Sequence, residues 1–205
     1  MPFVSCAAER DQAASFGFAS VWRAWLACRR RKRGNRQAQR YELDLLDNIQ
    51  NTALALQNRR FSPSRSSCFV ARQPKAREIH AAPFGDRVVH HLLVPWLERC
   101  YEPVFIHDSY SNRKGKGTHA AVARLEAFMR ASPDSFFLQL DIANFFNSID
   151  RRRLFGLLRQ RIERDSHRSP HDSRHINPTE AGEILWLARV LLTGNPAASF
   201  IRYQK

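Results

Sequence analysis

The chain has 205 residues, 43% of them hydrophobic, and a formal charge of +14 from 33 Lys and Arg against 19 Asp and Glu. That apolar content suffices for one core or two small lobes and excludes a disordered chain. The charge points to a polyanionic partner, nucleic acid before an anionic membrane surface, because each neutralised phosphate releases counterions. Four cysteines, Cys6, Cys28, Cys68 and Cys100, lie far apart with no C-x-x-C pair, so neither a zinc knuckle nor a disulfide framework is expected and the thiols read as reduced and structural. The uncharged stretch Gln12 to Trp22 is too short to span a bilayer and follows Glu9, Arg10 and Asp11, so no targeting or transmembrane segment is expected and the default location is the cytoplasm.

In chain order, an amphipathic segment with Phe16, Val21, Trp22, Trp25 and Leu26 runs into RRRKRGNRQAQR at 29–40. Between Gln12 and Tyr41 eight Arg and Lys stand without one acid, which reads as a solvated face, a flexible tail or a nucleic-acid contact. Tryptophans beside arginines at 16–33 also suit a membrane interface, a weaker idea. Tyr41, Leu45, Leu46, Ile49, Ala53 and Leu56 recur at helical spacing and predict one helix over 41–58, broken by FSPSRSS. The runs 68–72 and 76–81 alternate as two strands of a hairpin with Gln73 and Pro74 in its turn.

Asp86 is expected to cap a helix carrying Val88, Val89, Leu92, Leu93, Trp96 and Leu97, kinked at Pro95. The adjacent His90 and His91 point to different faces and do not read as a metal pair. A basic, glycine-containing loop at 107–119 leads into the helix AAVARLEAFMR. The apolar run FFLQLDI, 136–142, predicts a buried strand that delivers Asp141 to its end. After a turn at Asn147 and Ser148, Asp150 can cap a helix with Leu154, Phe155, Leu157, Leu158 and Ile162; the stretch 165–177 reads as a polar linker. Asn177, Pro178 and Glu180 then open a last helix in the pattern of a capping box. The final ten residues give no clear element.

Three blocks in order, KAREIHAAPFGDRVVHHLL, FIHDSYSNRKGKGTHAAV and LQLDIANFFNSID, resemble the fingers and first palm motif of reverse transcriptases, the RNA-directed DNA polymerases, of the bacterial group II intron and diversity-generating retroelement type. The likeness covers roughly 60–160. It implies an α/β (α+β) chain holding the fingers and front of the palm of a right-hand polymerase, with an incomplete palm sheet and no thumb. The division that follows is a basic helical extension at 1–58, fingers at 59–135 and partial palm at 136–205.

Burying an unpaired carboxylate costs several kcal/mol, so a strand that ends in one needs a compensating charge. Two-metal nucleotidyl transfer provides it: Mg²⁺ ions held by carboxylates stabilise the attacking and leaving oxygens. Asp141 is the candidate ligand, with Mg²⁺ or Mn²⁺ as cofactor. The resemblance adds the Ile142 carbonyl as a metal contact, the amides near Asn144 and Phe145 facing a deoxynucleoside triphosphate, and Phe146 as the ring that excludes a ribose 2′-hydroxyl. Lys75 and Arg77, two apart on a strand, leave one face of the hairpin and suit a multiply charged phosphate. Arg72, Arg113, Lys114 and Lys116 are implied as contacts to an RNA template and its DNA or RNA primer. The loop's Gly115-Lys116-Gly117-Thr118 lacks the spacing of a phosphate-binding P-loop, which excludes a nucleoside triphosphatase.

One acidic ligand is not enough. The sequence contains no Asp-Asp pair and no second palm motif, primer grip or thumb. The expectation is therefore a truncated chain, one half of a split enzyme completed by a palm and thumb in trans, or a remnant kept for RNA binding through 29–40, the fingers face and Arg151, Arg152 and Arg153. In each case the chain alone should not polymerise. The polymerase reading further requires Asp141 to be held on a stiff strand near the paired cations of the hairpin.

Overall fold

A computed structural model describes residues 16–72, 76–143, 145–194 and 200–202, with backbone alone at 77, 146, 147 and 200–202. Its elements are helices α1 (Phe18–Arg29), α2 (Arg36–Leu43) and α3 (Leu45–Gln57), strands β1 (Ser67–Ala71) and β2 (Arg77–Ala81), helices α4 (Phe84–Tyr101), α5 (Thr118–Ala131), α6 (Phe145–Ser148), α7 (Arg151–Ser166) and α8 (Pro178–Thr193), and strand β3 (Phe200–Arg202). The architecture is mixed, helices with a small sheet, compatible with the expected α/β class. No polymerase fold is established by it.

The core forms where α1, α3, α4, α7 and α8 converge. Val21, Trp25 and Cys28 of α1, Ile49 and Leu56 of α3, Val88 and Val89 of α4, and Ile184 and Leu187 of α8 are buried. Each such side chain contributes about 1.5–3 kcal/mol by leaving water. Phe16 joins two of these helices, its ring 5.9 Å from Trp96 and 5.8 Å from Trp186. The helices of 16–58 thus pack into the same core as α4, with Val21 and Trp25 facing protein while Phe18 and Leu26 remain exposed. Among the described residues no helix is long and apolar enough to cross a membrane.

The basic run is a helix junction, not a tail. α1 ends at Arg29, and Asn35 caps α2 by accepting from the amides of Gln37 and Ala38 at 2.9 and 3.4 Å. Arg29 donates to both Glu42 oxygens at 3.0 and 3.2 Å and lies over the Trp25 ring. The single helix expected at 41–58 is two, because Asp44 leaves helical geometry at φ −115° and ψ 45°. Asn48 then donates to the Tyr41 carbonyl at 2.9 Å, satisfying an acceptor that the break exposes.

β1 and β2 form the expected hairpin, in antiparallel register from Ser67 opposite Ala81 to Ala71 opposite Arg77. β3, which periodicity does not find, runs parallel to β1 and places it in the middle of the order β2-β1-β3. α4 begins at Phe84, where Pro83 holds the cap position, so Asp86 is not the N-cap. Asp86 is inside the first turn, 6% exposed, and accepts from the Ser64 amide at 2.7 Å, tying the segment before β1 to α4. The helix continues through Pro95 to Tyr101. Gly85 lets the Tyr41 ring approach to 3.3 Å of where a Cβ would stand.

Burial is the main reason the Asp86 carboxyl is raised above its ordinary value, against the Ser64 hydrogen bond that lowers it. A raised folded-state value means that the ionised form opposes folding. The cost is absent below the unfolded value and grows as pH rises through the folded one. Asp86→Asn keeps an acceptor for Ser64 without the charge, so it is expected to melt at or above the wild-type temperature near pH 7 and to lose that margin toward pH 4, as thermal scans at the two pH values would show.

Candidate nucleic-acid interface

The segment 136–142 forms no strand. A strand needs a neighbour to accept its amides and carbonyls, and among the described residues no strand pairs with this run. Phe136, Phe137, Leu138, Leu140 and Ile142 are exposed, the first completely. Asp141, carried on the same segment, faces solvent rather than a buried strand end. No group of three metal-binding side chains among the described residues includes it. These residues do not fit a two-metal centre: one exposed carboxylate, with the Ile142 carbonyl beside it, gives Mg²⁺ too few fixed oxygens. Phe145 opens the four-residue helix α6 and is half exposed. Lys75, Asn144 and the side chains of Arg77 and Phe146 lie outside the described residues, as do the turn residues Gln73 and Pro74.

α5 carries its apolar positions outward. Val122, Leu125, Phe128 and Met129 are each about half exposed, and the helix buries no residue. The segment 136–142 likewise exposes apolar side chains, and exposed apolar patches are of the kind that marks an association site.

The basic loop is organised from within. Arg113, expected to meet template, has an 11% exposed side chain: it pairs with Glu102 at 3.0 Å and donates to the carbonyls of Ile106 and Ser109 at 2.9 and 3.0 Å. A five-donor guanidinium can satisfy several carbonyls at once, which is why it closes the loop. Lys116 donates to the His107 carbonyl and stands 5.1 Å from the Tyr110 ring centre. Lys114 is 93% exposed, 3.4 Å from Glu98, and Arg72 is also exposed, so these two remain available to an anion. Asp108 anchors the other side. It accepts from Arg124, His107 and Tyr110, and these bonds, Arg124's first, pull its carboxyl down to about 2.

A more strongly cationic groove lies between α7 and α8. Asp150 caps α7 by accepting from the amides of Arg152 and Arg153 at 2.8 and 3.1 Å; these bonds, that from Arg153 foremost, hold its carboxyl below the ordinary carboxylate value. Helical spacing then sets Arg152, Phe155 and Arg159 on one face. Opposite them α8 supplies Arg189, Leu192 and Thr193. The result is a groove of about 490 Å³ lined by Arg151, Arg152, Phe155, Arg159, Arg189, Leu192 and Thr193, with no acid among its lining residues. Arg151 donates to the Gly194 carbonyl at 3.2 Å, and Arg159 is 3.8 Å from Glu163 with both side chains more than half exposed. Among the described residues neither the Arg152 nor the Arg189 side chain makes a contact ion pair, although the Asp150 carboxylate lies near enough to Arg152 to feel its charge. Sequence reasoning singles out Arg151, Arg152 and Arg153. It misses Arg159 and Arg189, though the i, i+3, i+7 spacing on α7 carries a signal for Arg159.

A second cleft, about 630 Å³, lies between α2 and the start of α4, lined by Arg36, Arg40, Tyr41, Asp44, Asn48 and Phe84 among others. Asp44 dilutes its positive charge, so it is the less cationic cleft of the two.

No model of a known protein family matches this chain. The chain is similar to the uncharacterized mitochondrial protein ymf11 of Marchantia polymorpha, with 30% identity over 92 residues, 45% of this chain and 11% of that protein. The matched part is thus a small portion of a much longer relative.

Proposed function

We propose that this chain binds RNA as the nucleic-acid-holding part of a reverse-transcriptase-like polymerase and does not carry out nucleotidyl transfer by itself. The observation that carries the binding half is the α7–α8 groove, where four arginines surround an apolar floor of Phe155 and Leu192 without an acid in the lining. Guanidinium groups meet successive phosphates while a base or ribose packs on the floor, an arrangement suited to single strands. The polymerase half rests on the three sequence blocks and their order. Asp141 does not meet the condition set for that reading, being exposed and off any strand, so the polymerase half has no support from the structure and stands on the sequence likeness alone; without companion ligands the chain is not expected to catalyse by itself.

Completion by a further palm segment, of the same chain or of another, is the form of this reading that the exposed surface favours. α5 and 136–142 offer apolar side chains, and the latter also a backbone outside any strand, to a further palm segment that would bring the missing carboxylates. Magnesium and deoxynucleotides belong to that completed assembly.

A labelled single-stranded RNA tests the binding half. Four phosphate contacts predict a slope of log K against log salt near −3, at about 0.7 per contact, and Asp141→Ala should leave affinity unchanged. In primer extension on an RNA template with Mg²⁺ or Mn²⁺, the chain alone should make no product. Salt-insensitive binding would defeat the first claim, and DNA synthesis by the isolated chain the second.

A further inference from the structure

The β1–β2 hairpin holds a cluster that neither RNA binding nor polymerisation uses. In its register Cys68 stands directly opposite His80, and Val70 opposite Glu78. Residues two apart on a strand share a face, so Cys68, His80 and Glu78 all project from the same side. Cys68 Sγ lies 3.9 Å from His80 Nε2, and one ligand atom from each of the three residues lies within 4.8 Å of the others. The thiol is buried while the imidazole and carboxylate reach solvent.

We propose that Cys68, Glu78 and His80 form a three-ligand site for a borderline-soft divalent cation, Zn²⁺ before any other, that clasps the two strands and leaves a fourth position to water or a bound ligand. The distances suit it. In a tetrahedral site with Zn–S about 2.3 Å and Zn–N about 2.05 Å, sulfur and nitrogen sit about 3.6 Å apart, a few tenths from what the hairpin already provides. A thiolate with an imidazole selects zinc over magnesium, which prefers oxygen alone. Charge fits locally: thiolate and carboxylate offset the two positive charges of the ion, and because one thiol proton leaves as the ion arrives, the chain's formal +14 rises by only one. Three protein ligands and one open position are the arrangement of zinc sites that keep an exchangeable water. Binding releases the thiol proton to solvent.

The test uses the whole reduced chain, stripped of metal with a chelator and titrated with Zn²⁺, and with Co²⁺ as the optical probe. The expected result is one equivalent bound, with a near-ultraviolet thiolate-to-cobalt band that Cys68→Ser abolishes. His80→Ala and Glu78→Gln should each weaken Zn²⁺ binding about 100-fold, at least the upper range seen for loss of a mere supporting partner. Both alter exposed side chains, so they decide the matter if the buried Cys68→Ser variant does not fold. A cobalt complex without the thiolate band, a band that survives in a folded Cys68→Ser, or wild-type zinc affinity in both exposed variants would overturn the site and leave an ordinary thiol–imidazole contact.

Discussion

Asp165→Ala is expected to cost about 3–5 kcal/mol of folding stability, the range for removing one partner of a buried ion pair. The carboxylate is 0% exposed. Arg168 Nε donates to Oδ1 at 2.8 Å, and Arg161 Nε stands 3.1 Å from Oδ2. Arg161 directs its own N–H groups at the Cys100 carbonyl, at 3.2 and 2.9 Å, so its attraction to Asp165 is of charge more than of hydrogen-bond alignment. That leaves Oδ2 without a hydrogen-bond donor and dependent on the nearby cation. Through these two arginines one buried acid joins α7 to the end of α4 and to the loop that leads into α8. Its own backbone carbonyl also accepts from Ile176, whose side chain is buried. Alanine would strand an Arg161 side chain only 11% exposed beside a void. Asp165→Asn retains an acceptor but not the charge and should fall between alanine and wild type. Urea unfolding measures both; an alanine variant within about 1 kcal/mol of wild type, the size of an exposed pair, would show that the acid is not a keystone.

The same residue explains what was not legible in sequence. The stretch 165–177 looks like a linker because almost all of it is polar. Its order comes from side chains meeting one another: Arg168 and Arg174 both pair with Asp172, at 3.0 and 3.2 Å, while Ile176 supplies the single apolar anchor. Local signals read well. Asp150 and Asn177 cap α7 and α8 as their positions suggest, since a cap needs only its own next turn. The hairpin likewise follows from alternation within a dozen residues. Readings that needed a distant partner fared differently. FFLQLDI has strand composition but no strand pairs with it among the described residues, whereas the short β3 exists because β1, far away in sequence, accepts it. Arg113 has the composition of a template contact, yet Glu102 and two loop carbonyls claim it. The candidate groove was half visible for the same reason: Arg151 and Arg152 stand in a run, but Arg189 joins them only through the packing of α8 on α7.

Replacing Arg151, Arg152, Arg159 and Arg189 together with Gln should lower affinity for a single-stranded RNA roughly 600-fold near 0.1 M monovalent salt. Each phosphate contact contributes about 0.7 to the slope of log K against log salt, hence about fivefold at that concentration, and four multiply. The slope itself should shrink by about 3, a signature that a merely destabilised protein would not give. Glutamine keeps the length and helix propensity of the position. The bonds sacrificed are surface ones: Arg151 to the Gly194 carbonyl at 3.2 Å and Arg159 near Glu163 at 3.8 Å, each worth about 1 kcal/mol or less, so the fold should persist. Lys114→Gln with Lys116→Gln in the basic loop is the comparison. Lys116 is already engaged with the His107 carbonyl and the Tyr110 ring, so this pair should cost only about the fivefold of one contact, that of Lys114. Circular dichroism and the unfolding midpoint establish that both proteins are folded before affinities are compared. If the four-fold variant binds within about threefold of wild type, less than the loss of a single phosphate contact, the RNA lies elsewhere on this basic surface. If the loop pair instead causes the large loss, the basic loop carries the binding despite its internal bonds.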